Sequence, residues 1–149
     1  LVDAGMRELR RTGYMHNRVR MITASFLIKH LMIDWRAGEK YFWDRLLDAC
    51  PANNIASWQW VAGSGADAAP FFRIFNPIIQ GEKFDPNGSY TKRFIPELAH
   101  LEQKHLFSPW KSKSDRVGLD FQEGQYPDPI VEHEYARNRA LEAFQQIRR

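Results

Sequence analysis

Six residues in the first sixty positions, four of them polar or charged and the others a methionine and a tryptophan, are of types that together suit one large planar ligand. Such a ligand needs apolar contact on its faces and a few well-placed hydrogen-bonding groups at its edges. An asparagine suits such an edge, because its amide offers both a donor and an acceptor to a ring nitrogen whose protonation changes with redox state. The six residues are Asn17, Arg20, Met21, Asp48, Asn54 and Trp60.

Trp58 and Trp60 are separated by a single glutamine. On a helix their side chains point about 200° apart, so they cannot both face the same core. We therefore expect one to line the interior and the other to face a cavity or cleft. A buried Trp also needs a partner for its indole N–H. From this local pattern alone, ordinary packing is the simpler explanation of both.

The charged residues leave two interpretations open. Arg20 and Asp48 either pair beside a ligand or form an ordinary interhelical salt bridge. Five arginines fall in the first twenty residues against two acidic residues, which indicates a phosphate-binding surface or a solvated helix face.

Other kinds of site are not supported by the sequence. The five histidines lack paired metal-ligand spacing, and one cysteine does not complete a set, so we predict no metal. No glycine-rich phosphate loop follows a strand, and nothing in the sequence supports a hydrolytic triad. His100 and His105 are expected to be solvated.

Hydrophobic periodicity and helix-ending residues predict an all-α chain, because no segment alternates at period two for long enough to form a strand. Val19, Ile22, Phe26 and Lys29 mark one face of the clearest helix. Asn53 or Asn54 is expected to cap the fourth helix. The predicted helices span residues 2–11, 14–31, 36–49, 54–62, 77–84, 89–94 and 132–148, with an irregular connection over 100–131.

Length and composition fit a single domain, since the chain has 149 residues and 44% apolar content. The single cysteine, Cys50, excludes an intramolecular disulfide and fits a reducing compartment. No apolar run reaches membrane-spanning length and no signal peptide is recognisable. We therefore expect a cytoplasmic location and no membrane partner. The chain begins at Leu1 in what resembles mid-helix, so we expect a piece of a longer polypeptide.

Several long motifs resemble the flavin-binding helical domain of the photolyase/cryptochrome family. The resemblance covers about residues 5–140. The motifs are residues 13–21 (Gly-Tyr-Met-His-Asn-Arg-Val-Arg-Met), 33–36 (Ile-Asp-Trp-Arg), Asn53-Asn54 with Trp58-Gln59-Trp60, 67–77 (Asp-Ala-Ala-Pro-Phe-Phe-Arg-Ile-Phe-Asn-Pro), 80–85 (Gln-Gly-Glu-Lys-Phe-Asp) and 129–133 (Pro-Ile-Val-Glu-His).

The resemblance implies the C-terminal portion of that FAD-binding domain. Residues 1–99 would form the flavin and DNA site, 100–131 the connection and 132–148 the C-terminal helix. FAD is the implied cofactor, and an antenna chromophore would bind an N-terminal domain that lies outside this sequence. The first half of the flavin pocket is also outside it, so we expect the chain by itself to be inactive and not to retain FAD.

Each matching position inherits an expected role from the family. Asn54 would face flavin N5, Arg20 and Asp48 would flank the flavin ring, and Asn17 would lie near both flavin and lesion. The remaining roles are contact with the pyrimidine dimer for Met21 and Trp60, electron transfer to flavin for Trp58 and Trp35, and DNA binding for Arg18, Trp60, Arg73 and Lys83.

The implied activity is light-dependent repair of UV-damaged DNA, in which an electron from FAD splits a cyclobutane pyrimidine dimer. Asn54 and Trp60 favour repair over the alternative, a cryptochrome-like blue-light photoreceptor without repair activity. The sequence departs from the family pattern at Cys50, where a second acid is usual, and it lacks the distal tryptophan upstream of Trp35.

Overall fold

The computed structural model describes residues 1–67, 72–113 and 126–147, and in these ranges all regular structure is helical, which confirms the all-α prediction. A π-helical turn spans Phe26–His30, and a 3₁₀ turn spans Pro96–Leu98. The α-helices are α1 Val2–Thr12, α2 Asn17–Ser25, α3 Trp35–Trp43, α4 Pro51–Ala62, α5 Pro77–Phe84, α6 Ser89–Phe94, α7 Gln103–Leu106, α8 Trp110–Lys113 and α9 His133–Ile147.

Glycine and proline mark helix ends where the sequence predicts them. Gly13 and Gly63 end α1 and α4 in the left-handed conformation, with φ of 69° and 79°. Pro77 begins α5, and the Asn76 side chain accepts a hydrogen bond from the Ile78 amide at 3.0 Å. The Asp85-Pro86-Asn87-Gly88 sequence is typical of a turn, and the Gly88 amide donates to the Asp85 carbonyl at 2.8 Å, just before α6.

The predicted helix over residues 14–31 is wrong at both ends. Residues 14–16 lie outside α2, which begins at Asn17, and His16 caps it by accepting a hydrogen bond from the Arg18 amide at 3.2 Å. The last part of the predicted helix, Phe26–His30, is a π turn: the Leu31 amide donates to the Phe26 carbonyl, five residues back, at 3.1 Å.

The boundary between the third and fourth helices also differs from the prediction. α3 ends at Trp43, six residues early, and α4 begins at Pro51, three residues early, with Cys50 as its N-cap residue. Proline suits the first helical position because it has no N–H to leave unpaired. Asn54 therefore lies inside α4 instead of capping it.

The predicted irregular connection over 100–131 contains α7 and α8, so that prediction is wrong there. Residues 114–125 of the connection, residues 68–71 of the motif over 67–77, and residue 148 lie outside the described residues. Within the described ranges, no helix is long and apolar enough to cross a membrane.

Trp58 lies at the centre of the larger hydrophobic core, only 2% exposed. Its ring packs edge-to-face on Phe42 of α3, with centroids 4.9 Å apart. The ring also lies against the backbone of α3: a Cβ at Gly38 would come within 2.2 Å of Cη2 and 2.4 Å of Cζ3 of Trp58. Only glycine at position 38 permits this approach, and it lies one helical turn beyond Trp35.

The C-terminal helix docks on the π turn through small residues and polar contacts. Helical spacing predicts Ala136, Ala140 and Phe144 on one side of this helix, and Ala136 and Ala140 are indeed buried, at 0% and 2% exposure. Nε2 of His30 lies 2.8 Å from Nδ1 of His133, and the Arg139 guanidinium donates to the His30 carbonyl at 2.5 Å. Burial, together with the nearby charges of His133 and Arg139, lowers the pKa of His30 to about 4.

Replacing Gly38 with alanine is expected to destabilise the protein by about 1–2 kcal/mol. The new methyl group overlaps the Trp58 ring, and the overpacking outweighs the roughly 1 kcal/mol that alanine gains over glycine in a helix. Urea unfolding measures the difference. Ala37→Gly, at the exposed neighbouring position, gives the intrinsic Ala–Gly difference on the same helix; a stabilising Gly38→Ala would contradict the packing account.

Acidification is expected to weaken folding through His30. Because its folded pKa, about 4, lies below the ordinary value of 6.5, the unfolded chain takes up the proton first. The contribution of His30 to the free energy of unfolding is therefore constant well above pH 6.5 and falls as the pH drops toward 4. The decrease is about 2 kcal/mol between pH 7.5 and 5. Denaturant unfolding at these pH values tests this. His30→Phe should reduce the dependence, whereas His100→Asn at an exposed site should not.

Candidate functional site

A cavity of about 560 Å³ lies between α2, α4 and the segment that connects α3 to α4. Its apolar wall includes Ala24, Phe42 and Leu46. Residues that the sequence analysis singled out supply much of the remaining lining: Asn17, Arg20, Met21, Asp48, Asn54, Trp58 and Trp60. Apolar walls combined with a few polar groups are what a planar ligand requires.

Arg20 and Asp48 form the predicted ion pair, and both line the cavity. The Arg20 Nη2 atom lies 2.9 Å from Oδ1 and 2.8 Å from Oδ2 of Asp48. The Nε of Arg20 donates to the Met15 carbonyl, which fixes the guanidinium plane. The Arg20 side chain is 24% exposed and that of Asp48 54%. The pair therefore offers a positive and a negative group side by side at the edge of the cavity.

Asn54 is held by a residue that faces it from α3. Its Nδ2 donates to the backbone carbonyl of Glu39 at 3.0 Å and to the Glu39 carboxylate oxygen Oε1 at 2.8 Å. These two bonds use both amide hydrogens, so the polar atom that Asn54 has left for the cavity is its carbonyl oxygen. Asn54 is buried, at 9% exposure, which favours one orientation of the amide. The site thus presents a fixed hydrogen-bond acceptor.

The two tryptophans of α4 divide as their spacing predicts. Trp58 is buried in the core, whereas Trp60 is half-buried and packs against the edge of the same core cluster; both also line the cavity. Cys50, at the start of α4, also lines the cavity as a free thiol.

Four of the predicted residues lie outside the cavity lining. Trp35 begins α3 and packs against the core cluster that contains Trp58. Arg18 and Lys83 approach the same ring: the Arg18 guanidinium lies 4.7 Å and the Lys83 ammonium 5.4 Å from the centroid of Phe84. Arg73 is exposed in the segment before α5.

Sequence reasoning missed two residues that shape the site. Helical spacing predicts that Glu39 faces outward together with Lys40, Asp44 and Arg45, and for Glu39 this is wrong, because its carboxylate turns toward Asn54. Sequence reasoning assigned no role to Gly38, although a glycine inside a helical pattern is a recognisable sign of close backbone approach. Among the described residues, no group of three or more metal-ligating side chains forms a cluster.

Comparison with known proteins agrees with this architecture. The family model described as the FAD binding domain of DNA photolyase matches residues 1–146. A deoxyribodipyrimidine photo-lyase from Agrobacterium fabrum is 60% identical over 152 residues, covering 100% of this chain and 32% of that protein. The chain therefore spans about a third of the length of the relatives it matches.

Solved structures give the same result. The crystal structure of a bacterial class III photolyase from Agrobacterium tumefaciens superposes with a TM-score of 0.87 at 59% identity, covering 97% of this chain and 30% of that one. A cryptochrome from Synechocystis superposes at 0.83 with 37% identity, over 93% of this chain and 29% of that one. The chain belongs to the family of FAD-binding domains of DNA photolyase.

Proposed function

We propose that this chain is the C-terminal part of a longer DNA photolyase that splits cyclobutane pyrimidine dimers under light, and that residues 1–99 carry the flavin and DNA site. The observation that carries the proposal is the cavity. Residues expected from separate motifs to contact flavin or lesion, Asn17 and Arg20 from α2 and Asn54 and Trp60 from α4, line one space. The names of the 46–60% identical relatives support the same activity.

The residues present fit a flavin ring. The Asn54 carbonyl oxygen can accept a hydrogen bond from a protonated ring nitrogen, because Glu39 already takes its amide hydrogens. The Arg20–Asp48 pair supplies a donor and an acceptor to polar ring edges, while Phe42 offers apolar contact. Bound FAD would supply the light-excited electron that splits the dimer.

The outer part of the cavity suits a flipped pair of bases. A lesion must leave the duplex before chemistry can reach it. Half-buried Trp60 offers an aromatic face for stacking, and Met21 and Asn17 line the same cavity. We assign these three residues to contact with the dimer.

Trp58 and Trp35 suit electron supply to the flavin. Trp58 lines the cavity and lies against Gly38, one helical turn from Trp35. Trp35 is only half-buried, and the Arg36 guanidinium lies 4.9 Å from its ring centroid. We propose that an electron passes inward from Trp35 to Trp58.

We propose that Arg18, Lys83 and Arg73 bind the DNA backbone. The first two converge on Phe84, which places two positive groups on one surface. Such contacts carry affinity that falls with salt. Damaged DNA and the remainder of the same polypeptide are thus the proposed partners. A cytoplasmic location is proposed with them, supported by the DNA substrate and the lone cysteine.

A cryptochrome-like photoreceptor is the second candidate, favoured by the similarity to a cryptochrome structure. It would use the same fold and flavin but signal through partners without repairing DNA. The fold does not separate the two candidates, because photolyase and cryptochrome both superpose closely on this chain. The activity must therefore be measured.

Repair of thymine dimers by the complete photolyase is expected under blue light and not in the dark, with flavin absorbance in the purified protein. Loss of dimers, measured in a defined oligonucleotide, tests the activity directly. Bound flavin without light-dependent repair would assign the chain to the cryptochrome class. A complete protein without flavin would refute the proposed roles of the cavity residues.

Asn54→Asp is expected to lower flavin retention and repair about tenfold or more. A buried charged group that loses its hydrogen-bond partner costs about 1.5–3 kcal/mol. The new carboxylate would face two acceptor oxygens of Glu39. Adding Glu39→Gln provides an amide donor and should recover thermal stability and much of the flavin content. No recovery in the double variant would show that the Glu39 contact does not govern Asn54.

A further inference from the structure

Lys29 is a buried lysine that the proposed repair chemistry does not use. It is 4% exposed and lies in the π turn after α2. Its Nζ donates to the backbone carbonyl of Arg73 at 2.6 Å and lies 4.5 Å from the ring centroid of Phe72. Burial lowers the pKa of Lys29 to about 8. Because lysine is almost never fully buried without a partner, this contact needs a reason.

Two adjacent residues of the π turn contact different parts of the chain. Lys29 and its neighbour His30 are both buried, at 4% and 1% exposure. His30 meets His133 of the C-terminal helix, whereas Lys29 meets the segment before α5. Single π turns within helices recur at functional sites, since the extra residue redirects the side chains that follow.

Residues 72–75, here called the Arg73 segment, are held at two further points. The Phe75 amide lies 3.4 Å from Oγ of Ser25, which accepts its hydrogen bond. Phe72 stacks on Phe144 of α9, with centroids 4.2 Å apart and the rings 8° from parallel. Lys29 contacts the middle of the segment, at the residue whose side chain projects outward.

Arg73 is exposed, and its guanidinium lies 5.8 Å from the Phe75 ring centroid. Lys29 is enclosed, so its own charge is not available to a phosphate. Its hydrogen bond instead fixes the peptide group from which the Arg73 side chain extends. A cation held in place before binding loses less conformational freedom when it meets DNA.

We propose that Lys29 is a positioning residue for DNA binding: its ammonium group holds the Arg73 segment so that the Arg73 guanidinium is presented to a backbone phosphate. This inference rests on the proposed function, because it takes Arg73 as a DNA contact. It adds that the π turn and the C-terminal helix, neither of which lines the cavity, set the geometry of that contact.

The test is DNA affinity of the complete photolyase, measured by fluorescence anisotropy with a duplex carrying one thymine dimer over a series of salt concentrations. Lys29→Met is expected to weaken binding about three- to tenfold. It should also lower the steepness with which the logarithm of affinity falls with the logarithm of salt concentration, here called the salt slope. Arg73→Ala loses about one phosphate contact and should lower the salt slope by about 0.9, and Lys29→Met should approach that value. The double variant should bind no more weakly than Arg73→Ala alone, because both changes remove the same contact.

Lys40→Met is the matched control. It removes the same charge from an exposed lysine on α3, which pairs with Asp44 at 2.9 Å, and is expected to leave affinity within about twofold. A loss as large as that of Lys29→Met would mean that net charge alone is responsible, and would overturn the positioning role.

The outcomes separate the inference from the function on which it rests. If Arg73→Ala leaves affinity and salt slope unchanged, the proposed DNA surface is wrong at this residue and the Lys29 role falls with it. If Arg73→Ala weakens binding but Lys29→Met does not, or if the two losses multiply, Lys29 does not act through Arg73. Should Lys29→Met fail to fold, Phe72→Leu is measured instead, because it loosens the Arg73 segment at another point. A loss of DNA affinity in Phe72→Leu that disappears when Arg73→Ala is already present supports the proposal. No loss of affinity in Phe72→Leu overturns it.

Discussion

The candidate site depends on the close contact between α3 and α4. Gly38 lets the Trp58 ring lie against the α3 backbone. The next residue, Glu39, accepts a hydrogen bond from Asn54, which lies one turn before Trp58 on α4. A single helix–helix approach thereby fixes both a buried aromatic ring and a buried amide. Because packed interiors do not deform continuously, a shift at Gly38 is expected to move both groups together. The α3–α4 contact that positions the Trp58 ring therefore also positions the Asn54 amide beside the cavity.

The charged residues beside the cavity differ in their contacts from those at the proposed DNA surface. Beside the cavity, Arg20 pairs with Asp48, and the Glu39 carboxylate accepts a hydrogen bond from the Asn54 amide. At the proposed DNA surface, Arg18 and Lys83 meet only an aromatic ring in the contacts described above, so their charge is available to phosphates. The Arg20–Asp48 pair suits the proposed ring ligand, and charges without a counter-charge suit the proposed polyanion.

Local signals in the sequence predict the helix ends, and long-range contacts account for what they miss. Gly13, Gly63 and Pro77 act through their own backbone preferences, so their positions could be predicted. The inward turn of Glu39 could not, because it depends on where α4 begins and on how closely it approaches α3. Periodicity placed Lys29 on an apolar face, but its partner is a carbonyl 44 residues away. Residue types suggested a set of ligand-binding residues, but only the motif resemblance assigned them to one flavin site, since no local pattern joins α2 to α4.

The fold alone does not explain the difference between repair and signalling, because a photolyase and a cryptochrome superpose on this chain with TM-scores of 0.87 and 0.83. The difference must lie in what the cavity admits and what charge it stabilises. In the proposed repair function, Trp60 provides a stacking surface that a flavin sensor without a DNA substrate does not need. Glu39 accepts hydrogen bonds from the Asn54 amide nitrogen, which leaves the Asn54 carbonyl oxygen as an acceptor that favours a protonated ring nitrogen beside it. The contact behind Asn54 therefore bears on the reactivity of the site as directly as the residues that line it.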